Sequence, residues 1–379
     1  MNNYESCQLP GKHYYLTNIL TIMGTRPEAV KLAPLLLEFR NHPQIRSTLC
    51  VTAQHRQMLD QVNQWFGIVP DIDLDLMAAN QKLAEFAAKA LTGITRVIEE
   101  VNPDVVIVQG DTTTAMMAAM AAVYQRVNVA HVEAGLRTDD LFNPFPEEIN
   151  RRIVSAATRF HFAPTERAAN ALRREGIAES AIHVTGNTVI DALRQTAGRS
   201  VTLQLPFPLD PNRRLILVTA HRRESFGTPF EDLCTALRRL ADRNPDIDLV
   251  YPVHLNPNVR EPVNRILAGH PRIHLVEPLR YEEFVHLMMR SYFLLTDSGG
   301  VQEEAPFLGK PALVMRENTE RPEAVEAGTA RLVGTDPDRI VAAAEELLQN
   351  EPVYRAMARA GSPFGDGLAA ARITRILLQ

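Results

Sequence analysis

The sequence predicts an α/β protein built from parallel β-sheets that carry helices on both faces. Short β-branched runs alternate with segments of helical periodicity, and the chain of 379 residues is too long for one typical core. Strands buried on both faces of a parallel sheet read as continuous apolar runs, and such runs recur along the chain. The predicted strands are residues 20–23, 105–109, 127–132, 215–219, 249–253, 293–296 and 312–315.

The pattern predicts two domains that divide before residue 187. Pro206, Pro208 and Pro211 interrupt the alternation between residues 197 and 214, and a predicted helix over residues 188–196 can pack with the second half. We therefore expect an N-terminal domain of residues 1–186 and a C-terminal domain of residues 187–365. The amphipathic terminal segment, residues 366–379, can pack back on the first domain.

Composition argues against two classes of partner. The net charge is −5 at pH 7, whereas a protein that binds nucleic acid needs a broad basic surface. The longest weakly polar stretch, residues 115–124, is too short to cross a bilayer, so no membrane partner is expected. The three cysteines, Cys7, Cys50 and Cys234, contain no CxxC pair, which fits a reducing cytoplasm.

The first predicted strand ends at the sequence GTRPE, residues 24–28, where Pro27 suits the first turn of a helix. Arg26 and Lys31 are cations that can face a phosphate or a carboxylate from this turn. Lys31 taken alone is more often an ordinary surface lysine. The chain has neither a GxGxxG fingerprint nor a GxxxxGK[ST] loop, which argues against a nicotinamide enzyme and a P-loop NTPase.

Acidic residues follow the next predicted strands. Asp111 comes after strand 105–109, Glu133 after strand 127–132, and Glu147 lies in the first turn of a further predicted helix. Consecutive βα units bring such residues to one edge of a sheet, where gathered carboxylates can divide acid and base roles. The alternative is that each acid caps a helix or forms a salt bridge to a nearby arginine. These arginines are Arg137, Arg151 and Arg152.

The octapeptide DSGGVQEE, residues 297–304, follows the predicted strand 293–296 and opens a helix. After Ser298, Gly299 and Gly300 allow backbone N–H groups and a helix N-terminus to converge on an anion such as a diphosphate. Glu304, one turn later, can accept hydrogen bonds from the hydroxyls of a ribose. An ordinary glycine-rich turn between strand and helix is an equal alternative.

Two histidines follow predicted strands in the second half. His221 opens the sequence HRRE, residues 221–224, where a titratable imidazole stands beside arginines suited to phosphate. His254 is either a contact at a strand end or a packed loop histidine. No GxSxG elbow surrounds Ser298, and no HExxH or paired cysteines occur, so neither a serine hydrolase nor a metal site is supported.

The motifs form an ordered set that resembles a known family. They are GTRPE (24–28), GDT (110–112), HVEAGLR (131–137), PEEINR (146–151), HRRE (221–224) and DSGG (297–300). From about residue 20 to the C-terminus, the chain resembles the bacterial non-hydrolysing UDP-N-acetylglucosamine 2-epimerases. The resemblance implies a glycosyltransferase-B architecture of two facing Rossmann-like domains, a UDP-sugar substrate, no cofactor and a homodimer.

The resemblance also implies roles for individual residues. On the nucleotide it places Arg26, Lys31, Ser298, Gly299, Gly300, Glu304 and Arg321, with Phe284 near the uracil. It gives catalytic and sugar-contact roles to Asp111, Glu133, Glu147 and His221. Some members bind a second UDP-sugar as an activator, at positions that match Gln54, Gln57, Arg222 and His254. Leu279 replaces a glutamine of some relatives, and Asn80 replaces an arginine that contacts the activator in others.

The implied reaction is reversible epimerisation at C2 of UDP-N-acetylglucosamine to UDP-N-acetylmannosamine, for surface polysaccharide synthesis. UDP would be eliminated and added again through 2-acetamidoglucal. Related alternatives are a 2-epimerase of a UDP-diacetamido uronate, a hydrolysing relative that releases free N-acetylmannosamine, and a UDP-sugar transferase of the same architecture. A non-catalytic UDP-sugar sensor is an alternative from a different class.

Overall fold

The structure is a computed structural model that describes residues 6–9, 12–52, 56–77, 81–142 and 144–379. The chain forms two compact units. Unit 1 extends to Ala192 and also contains Phe364–Gln379, and unit 2 is Leu193–Pro363. These boundaries lie within a few residues of the predicted ones, at residues 187 and 366.

Unit 1 is built on a seven-stranded parallel sheet. It is preceded by an antiparallel pair, β1 (Ser6–Leu9) and β2 (Lys12–Tyr15). The sheet strands are β3 (Thr17–Met23), β4 (Ile45–Val51), β5 (Ile72–Asp73), β6 (Val105–Gln109), β7 (Asn128–Val132), β8 (Phe160–Ala163) and β9 (Ile182–Val184). Their order across the sheet is β5-β4-β3-β6-β7-β8-β9.

Helices connect these strands. They are α1 (Arg26–Phe39), α2 (Arg56–Phe66), α3 (Leu83–Val101), α4 (Thr113–Tyr124), α5 (Glu147–Ala157), α6 (Glu166–Arg174) and α7 (Thr188–Ala197), which runs across the boundary between the units. The alanine-rich α4 is deeply buried, because Ala115, Ala118 and Ala119 are fully inaccessible to solvent. Small side chains let this helix lie close to the sheet and to α3.

Unit 2 repeats the same architecture with a six-stranded parallel sheet. Its strands are β10 (Arg214–Thr219), β11 (Ile247–Pro252), β12 (Ile273–Val276), β13 (Phe293–Thr296), β14 (Ala312–Val314) and β15 (Ala330–Leu332). Its helices are α8 (Thr228–Arg243), α9 (Pro257–Leu267), α10 (Tyr281–Arg290), α11 (Gly299–Phe307), α12 (Pro322–Glu326), α13 (Pro337–Gln349) and α14 (Glu351–Arg359). The strand order is β12-β11-β10-β13-β14-β15.

The chain then returns to unit 1 as α15 (Ala369–Leu377), which packs against α1. Asp191 of α7 fixes the start of this helix. Its buried carboxylate accepts hydrogen bonds from the backbone N–H groups of Ala369 (3.2 Å) and Ala370 (2.9 Å). A carboxylate at this position satisfies free N–H groups and interacts favourably with the helix dipole.

Strand order reverses once in each sheet, between β3 and β6 in unit 1 and between β10 and β13 in unit 2. The loops that leave the two strands at a reversal diverge to opposite faces, which creates the usual ligand crevice of α/β sheets. In unit 1 these loops carry Arg26 and Asp111, and in unit 2 they carry His221 and Ser298. The fold therefore puts the predicted motifs at the two positions where ligands are expected.

The predicted α/β class with two parallel-sheet domains is confirmed. None of the helices in the described part of the chain has both the length and the apolar character needed to cross a lipid bilayer.

Candidate active site

The loop between β3 and α1 is packed tightly against the neighbouring loops of unit 1. A Cβ atom at Gly24 would lie 2.3 Å from Oγ1 of Thr52 and 2.6 Å from Oγ1 of Thr114, so only glycine fits at this point. The half-buried Arg26 begins α1 at the carboxyl edge of the sheet. The loop therefore holds the start of α1, and with it Arg26, beside the loop that follows β6.

Glu133 is a buried carboxylate immediately after β7, with 4% of the residue exposed. Nζ of Lys31 lies 2.5 Å from Oε1, and the side-chain amide of Asn187 donates to the same oxygen at 3.2 Å. The side-chain amide of Gln109 donates to Oε2 at 2.6 Å. Glu133 has a positive φ of 64°, a conformation that is uncommon outside glycine and concentrates at functional sites.

Arg151 of α5 links Asp111 to Glu133. Its Nη2 lies 2.5 Å from Oδ2 of Asp111 and 4.0 Å from Oε2 of Glu133, and its Nη1 donates to the backbone carbonyl of Glu133 at 3.3 Å. The neighbouring Asn150 donates from its side-chain amide to the carbonyl oxygen of Asp111 at 2.8 Å. The first two turns of α5 are therefore held against the loop that carries Asp111.

Glu147 begins α5 and has one carboxylate oxygen, Oε2, that is buried without a hydrogen-bond partner among the described residues. Residues three and four positions apart share a helix face, so Glu147 lies on the same face as Asn150 and Arg151. Those two residues contact Asp111. Buried oxygens without a hydrogen-bond partner are rare in folded proteins. Oε2 of Glu147 is therefore a position where a ligand can donate a hydrogen bond.

A neutral histidine lies beneath the acidic cluster. Burial lowers the pKa of His131 to about 3, although its hydrogen bond to the carbonyl of Gly110 works in the opposite direction. Because the carbonyl accepts this bond at 2.8 Å, Nε2 carries the proton. His131 thus fixes the turn at Gly110, which has a φ of +70° and precedes Asp111.

The alternative that the acids only form salt bridges to nearby arginines applies to one of the three arginines, Arg151. Arg151 pairs with Asp111, as that alternative requires, but the same arginine also draws Asp111 towards Glu133. Arg137 instead binds Glu175 at 2.7 Å, and Arg152 binds Glu148 at 3.0 Å. Gln109 and Asn187 were not predicted, because their amides carry no motif signal and are identified only by contact with Glu133.

In unit 2, the loops after β10 and β13 are joined by the fully buried Asp297. Oδ2 of Asp297 accepts hydrogen bonds from the backbone N–H groups of His221 (2.6 Å) and Arg222 (2.7 Å). Oδ1 is buried without a hydrogen-bond partner among the described residues and lies 3.4 Å from Nδ1 of His221. This carboxylate therefore holds the backbone at His221 and Arg222 and lies beside the imidazole of His221.

Ser298 precedes α11, and the first N–H groups of any helix lack partners within that helix. The guanidinium of Arg222 lies directly beside this terminus, since a Cβ atom at Gly299 would be 3.4 Å from its Nη2. Gly300 follows in the first turn. A helix N-terminus with an adjacent arginine is suited to a phosphate.

Glu320 keeps the arginines near α11 in place. Its carboxylate binds Arg316 through two 3.1 Å hydrogen bonds and lies 3.7 Å from Nη2 of Arg222. Burial opposes ionisation, but the bonds from Arg316 and the charge of Arg222 lower the pKa of Glu320 to about 2. Glu320 is therefore an anion throughout the neutral range, and it balances part of the positive charge at this end of the unit.

Three further residues implied by the resemblance lie around α11. Glu304 is buried and accepts a hydrogen bond from the hydroxyl of Tyr281 at 3.3 Å. Phe284 is half-buried three residues after Tyr281, on the same face of α10. Arg321 donates from Nε to Glu303. Glu304, Phe284 and Arg321 thus belong to the same end of unit 2 as the start of α11.

Of the residues that the resemblance assigns to an activator, the structure describes the side chains of His254 and Arg222. The ring of His254 stacks on His221, with centroids 5.5 Å apart and planes inclined by 16°. Burial, and then the neighbouring His221, lower the pKa of His254. Arg222 lies at α11 as described above. Gln54, Asn80 and the side chain of Gln57 lie outside the described residues.

The arrangement provides two kinds of chemistry. Unit 1 holds carboxylates at Asp111, Glu133 and Glu147. Of its cations, Lys31 pairs with Glu133, and Arg151 lies against Asp111 and Glu133. Unit 2 holds a helix N-terminus with arginines and a histidine, which suits an anion. Among the residues that the structure describes, no group of three histidine, cysteine, aspartate or glutamate side chains is arranged to hold a metal ion.

Comparison with known proteins gives consistent results. The family model for UDP-N-acetylglucosamine 2-epimerase matches residues 37–378. The chain is 53% identical over 368 residues to the UDP-N-acetylglucosamine 2-epimerase of Escherichia coli O157:H7, an alignment that covers 95% of this chain and 98% of the relative.

Solved structures show the same likeness. A crystal structure of UDP-GlcNAc 2-epimerase from Neisseria meningitidis, bound to UDP-GlcNAc, is similar with a TM-score of 0.88 at 45% identity, covering 96% of this chain and 100% of that one. The glycotransferase of kitacinnamycin, at 15% identity and a TM-score of 0.64, shares the fold alone. These findings confirm the predicted pair of Rossmann-like domains of glycosyltransferase-B type.

Proposed function

The chain belongs to the UDP-N-acetylglucosamine 2-epimerase family, and we propose that it interconverts UDP-N-acetylglucosamine and UDP-N-acetylmannosamine by eliminating and re-adding UDP. The intermediate in this proposal is 2-acetamidoglucal. The observation that carries the proposal is that Arg151 joins Asp111 and Glu133 at the carboxyl edge of one sheet, with Glu147 in the first turn of the same helix α5. A transferase that only moves the sugar to an acceptor would leave most of these acids without a task.

Elimination explains how an unactivated C2–H bond can react. The C2 hydrogen of an N-acetylhexosamine is not adjacent to a carbonyl, so direct deprotonation would leave an unstabilised carbanion. Breaking the C1–O bond first, or together with proton loss, makes C1 oxocarbenium-like and acidifies C2. A carboxylate then takes the C2 proton, and UDP departs with the electron pair of the C1–O bond. Re-addition of UDP with protonation from the opposite face gives the epimer.

Unit 2 holds the departing UDP in this mechanism. The N-terminus of α11 at Ser298, Gly299 and Gly300 faces the diphosphate, and Arg222 beside Gly299 supports that assignment. His221, when protonated, stabilises the growing charge on the leaving group, and Asp297 keeps it oriented. Such preorganised groups stabilise the transition state without reorganising during the reaction.

The diphosphate and the nucleoside take further residues. We assign Arg26, Lys31 and Arg321 to the diphosphate side, Glu304 to the ribose and Phe284 to the uracil. Glu304 is held by Tyr281, which supports a fixed acceptor for paired hydroxyls. Lys31 has a second duty, since it pairs with Glu133.

The three acids of unit 1 divide the proton transfers and the sugar contacts. The buried oxygen of Glu147 without a partner, together with the contacts of Asn150 and Arg151 to Asp111, supports a common position for Glu147 and Asp111. Glu133 is held rigidly by Lys31 and Gln109 beside them. A single general acid or base contributes about 100-fold to 10,000-fold, so the rate depends on more than one of them.

The test is to incubate the protein with UDP-N-acetylglucosamine in D₂O without an acceptor and to follow the sugar by NMR. We expect the manno epimer to appear with deuterium at C2. A transferase leaves the substrate unchanged, a sensor binds it without deuterium exchange, and a hydrolysing enzyme accumulates free N-acetylmannosamine. Running the UDP-diacetamido uronate in parallel identifies the preferred sugar. Absence of the manno epimer and of deuterium at C2 would contradict the proposal.

We further propose a homodimer, a second UDP-sugar as activator and a cytoplasmic location. Dimer formation is measured by light scattering, and activation by a sigmoidal dependence of rate on substrate concentration.

The cytoplasmic location is supported by Cys50 and Cys234, which are unpaired and buried, because free thiols suit a reducing compartment.

A further inference from the structure

Glu28 is a fully buried carboxylate in the first turn of α1. Glutamate is almost never fully buried unless its charge is compensated, because removing a carboxylate from water is costly. Burial raises the pKa of Glu28, and four hydrogen-bond donors act in the opposite direction. The residue is fully engaged inside unit 1, yet the proposed reaction gives it no role.

The two oxygens of Glu28 bind different loops. Oε2 accepts hydrogen bonds from the backbone N–H of Gly24 (3.0 Å), the backbone N–H of Thr25 (2.8 Å) and the hydroxyl of Thr25 (2.7 Å). Oε1 accepts from the hydroxyl of Thr112 at 2.8 Å. The first set belongs to the loop before α1, which leads to Arg26, and Thr112 directly follows Asp111.

This arrangement exceeds what helix capping requires. In a capping box, the glutamate at the third helical position returns only to the N-cap backbone. Glu85 of α3 does so, since it is exposed and accepts from the backbone N–H of Lys82 at 3.4 Å. Glu28 makes the same local contact and additionally binds Thr112, 84 residues away. Thr112 in turn caps α4 by accepting from the backbone N–H of Ala115 at 3.0 Å.

We propose that Glu28 is a positioning residue that, through Thr112, fixes the Arg26 loop and the Asp111 loop in one arrangement for the epimerisation proposed above. The link spans the reversal point of the sheet, between β3 and β6, and adds a direct hydrogen bond between two loops that also pack at Gly24 and Thr114. Reacting groups must be held to within about 0.5 Å of their productive geometry. A misplacement of about 1 Å can reduce a rate about 100-fold.

The first test replaces Thr112 by valine, which keeps the shape and removes the hydroxyl. We expect kcat to fall about 10-fold to 100-fold with little change in KM, and Thr112→Ser to restore most of it. The matched control is Thr165→Val, because Thr165 caps α6 through the backbone N–H of Ala168 at 3.2 Å. Both valine variants lose one helix cap, so a purely structural role predicts a lower Tm and an unchanged kcat in both.

The second test replaces Glu28 by glutamine. Two backbone N–H groups face Oε2, so the amide nitrogen must turn towards Thr112, where its N–H groups meet a hydroxyl that already accepts from Ala115. We expect Glu28→Gln to lower kcat and the double variant with Thr112→Val to be no worse than the poorer single variant. Glu85→Gln, which changes a capping glutamate elsewhere, is expected to leave kcat unchanged.

Amide hydrogen exchange gives a readout that does not depend on catalysis. Thr112→Val is expected to speed exchange at residues 24–28, whereas Thr165→Val leaves that segment unchanged. If the wild type shows no epimerisation but this exchange pattern is found, the proposed function fails and the link between the loops stands. If the wild type is active while Thr112→Val retains normal kcat and normal exchange at residues 24–28, the positioning role is wrong.

Discussion

Lys31 and Glu133 form a buried ion pair across unit 1, with Nζ 2.5 Å from Oε1 and only 3% of the Glu133 side chain exposed. The lysine comes from the second turn of α1 and the glutamate from the end of β7. Removing one partner from such a pair leaves an uncompensated charge in a medium of low dielectric constant. The pair therefore bears on both the stability of unit 1 and the placement of Glu133.

Lys31→Met is expected to lower the free energy of unfolding by about 2 kcal/mol. This is less than loss of an isolated buried pair, because Gln109 and Asn187 still donate to Glu133. Urea unfolding measures the change. Lys89→Met, at an exposed position of α3, is the control and is expected to have no measurable effect. Equal stability of the two variants would contradict the importance of the pair.

Each of Asp111→Asn, Glu133→Gln and Glu147→Gln is expected to reduce turnover by at least about 100-fold. The substitutions keep the shape of the side chain and remove its ability to exchange a proton. Turnover is measured by NMR detection of the manno epimer, and circular dichroism establishes that each variant is folded. Glu100→Gln, exposed on α3, serves as the control. Near-normal turnover in all three would remove their assignment.

Gly299→Ala is expected to weaken UDP binding about 10-fold without loss of stability. The new Cβ would lie 3.4 Å from Nη2 of Arg222 and 3.9 Å from Oε2 of Glu320, which are ordinary contacts, so the fold accommodates it. A phosphate at the start of α11 would meet the added methyl group. Titration calorimetry measures the change in Kd. Gly361→Ala, which has open space around its Cβ position, is expected to bind UDP normally.

The burial of Asp191 at the start of α15 predicts a pH dependence of stability. Burial raises the pKa of Asp191 from an ordinary value near 3.8 to about 6, and the charge of Asp366 adds to this. The folded state thus binds the proton more tightly than the unfolded chain. The contribution of protonated Asp191 to the free energy of unfolding is fully present below about pH 3.8. It is lost as the pH rises through about 6, a change of roughly 3 kcal/mol.

Asp191→Asn removes this titration. Urea unfolding of the wild type and the variant between pH 4 and pH 7 should show the wild type losing stability relative to Asp191→Asn as the pH rises. Asp366 has a pH dependence of the opposite sign, because the hydrogen bond from Arg372 lowers the pKa of Asp366. Asp366→Asn removes that dependence. The stability from Asp366 is present above about pH 3.8 and is lost on acidification. Parallel pH profiles for wild type and Asp191→Asn would refute the assignment.

The fold class could be predicted because the central strands are recognisable as apolar runs in the sequence. Strand β6 has the sequence VVIVQ and is buried throughout. Its β-branched apolar run predicts both an extended conformation and a central position in the sheet. Strand β4 was missed, because exposed Arg46 and Ser47 follow its first residue and the strand becomes buried only at Leu49–Val51. The antiparallel pair β1 and β2 was missed as well, since its sequences lack a clear alternation.

The candidate site was predictable where residues follow strands directly. Asp111 and Glu133 each come just after a strand, so their approach follows from the strand order. Gln109 and Asn187 could not be foreseen, because their amides matter only through contact with a residue 24 or 54 positions away. The double role of Arg151 was equally hidden, since one guanidinium serves both the salt bridge and the assembly of the acids.

The return of the chain to unit 1 as α15 has a consequence for biosynthesis. Residues 364–379 follow the whole of unit 2, so a ribosome must complete unit 2 before unit 1 can acquire its last helix. Until then, the nascent chain exposes the surface of α1 that α15 covers, and the carboxylate of Asp191 lacks its two N–H donors. Translation that stops after residue 363 would therefore yield a damaged first unit, even though the break lies beyond the end of the second.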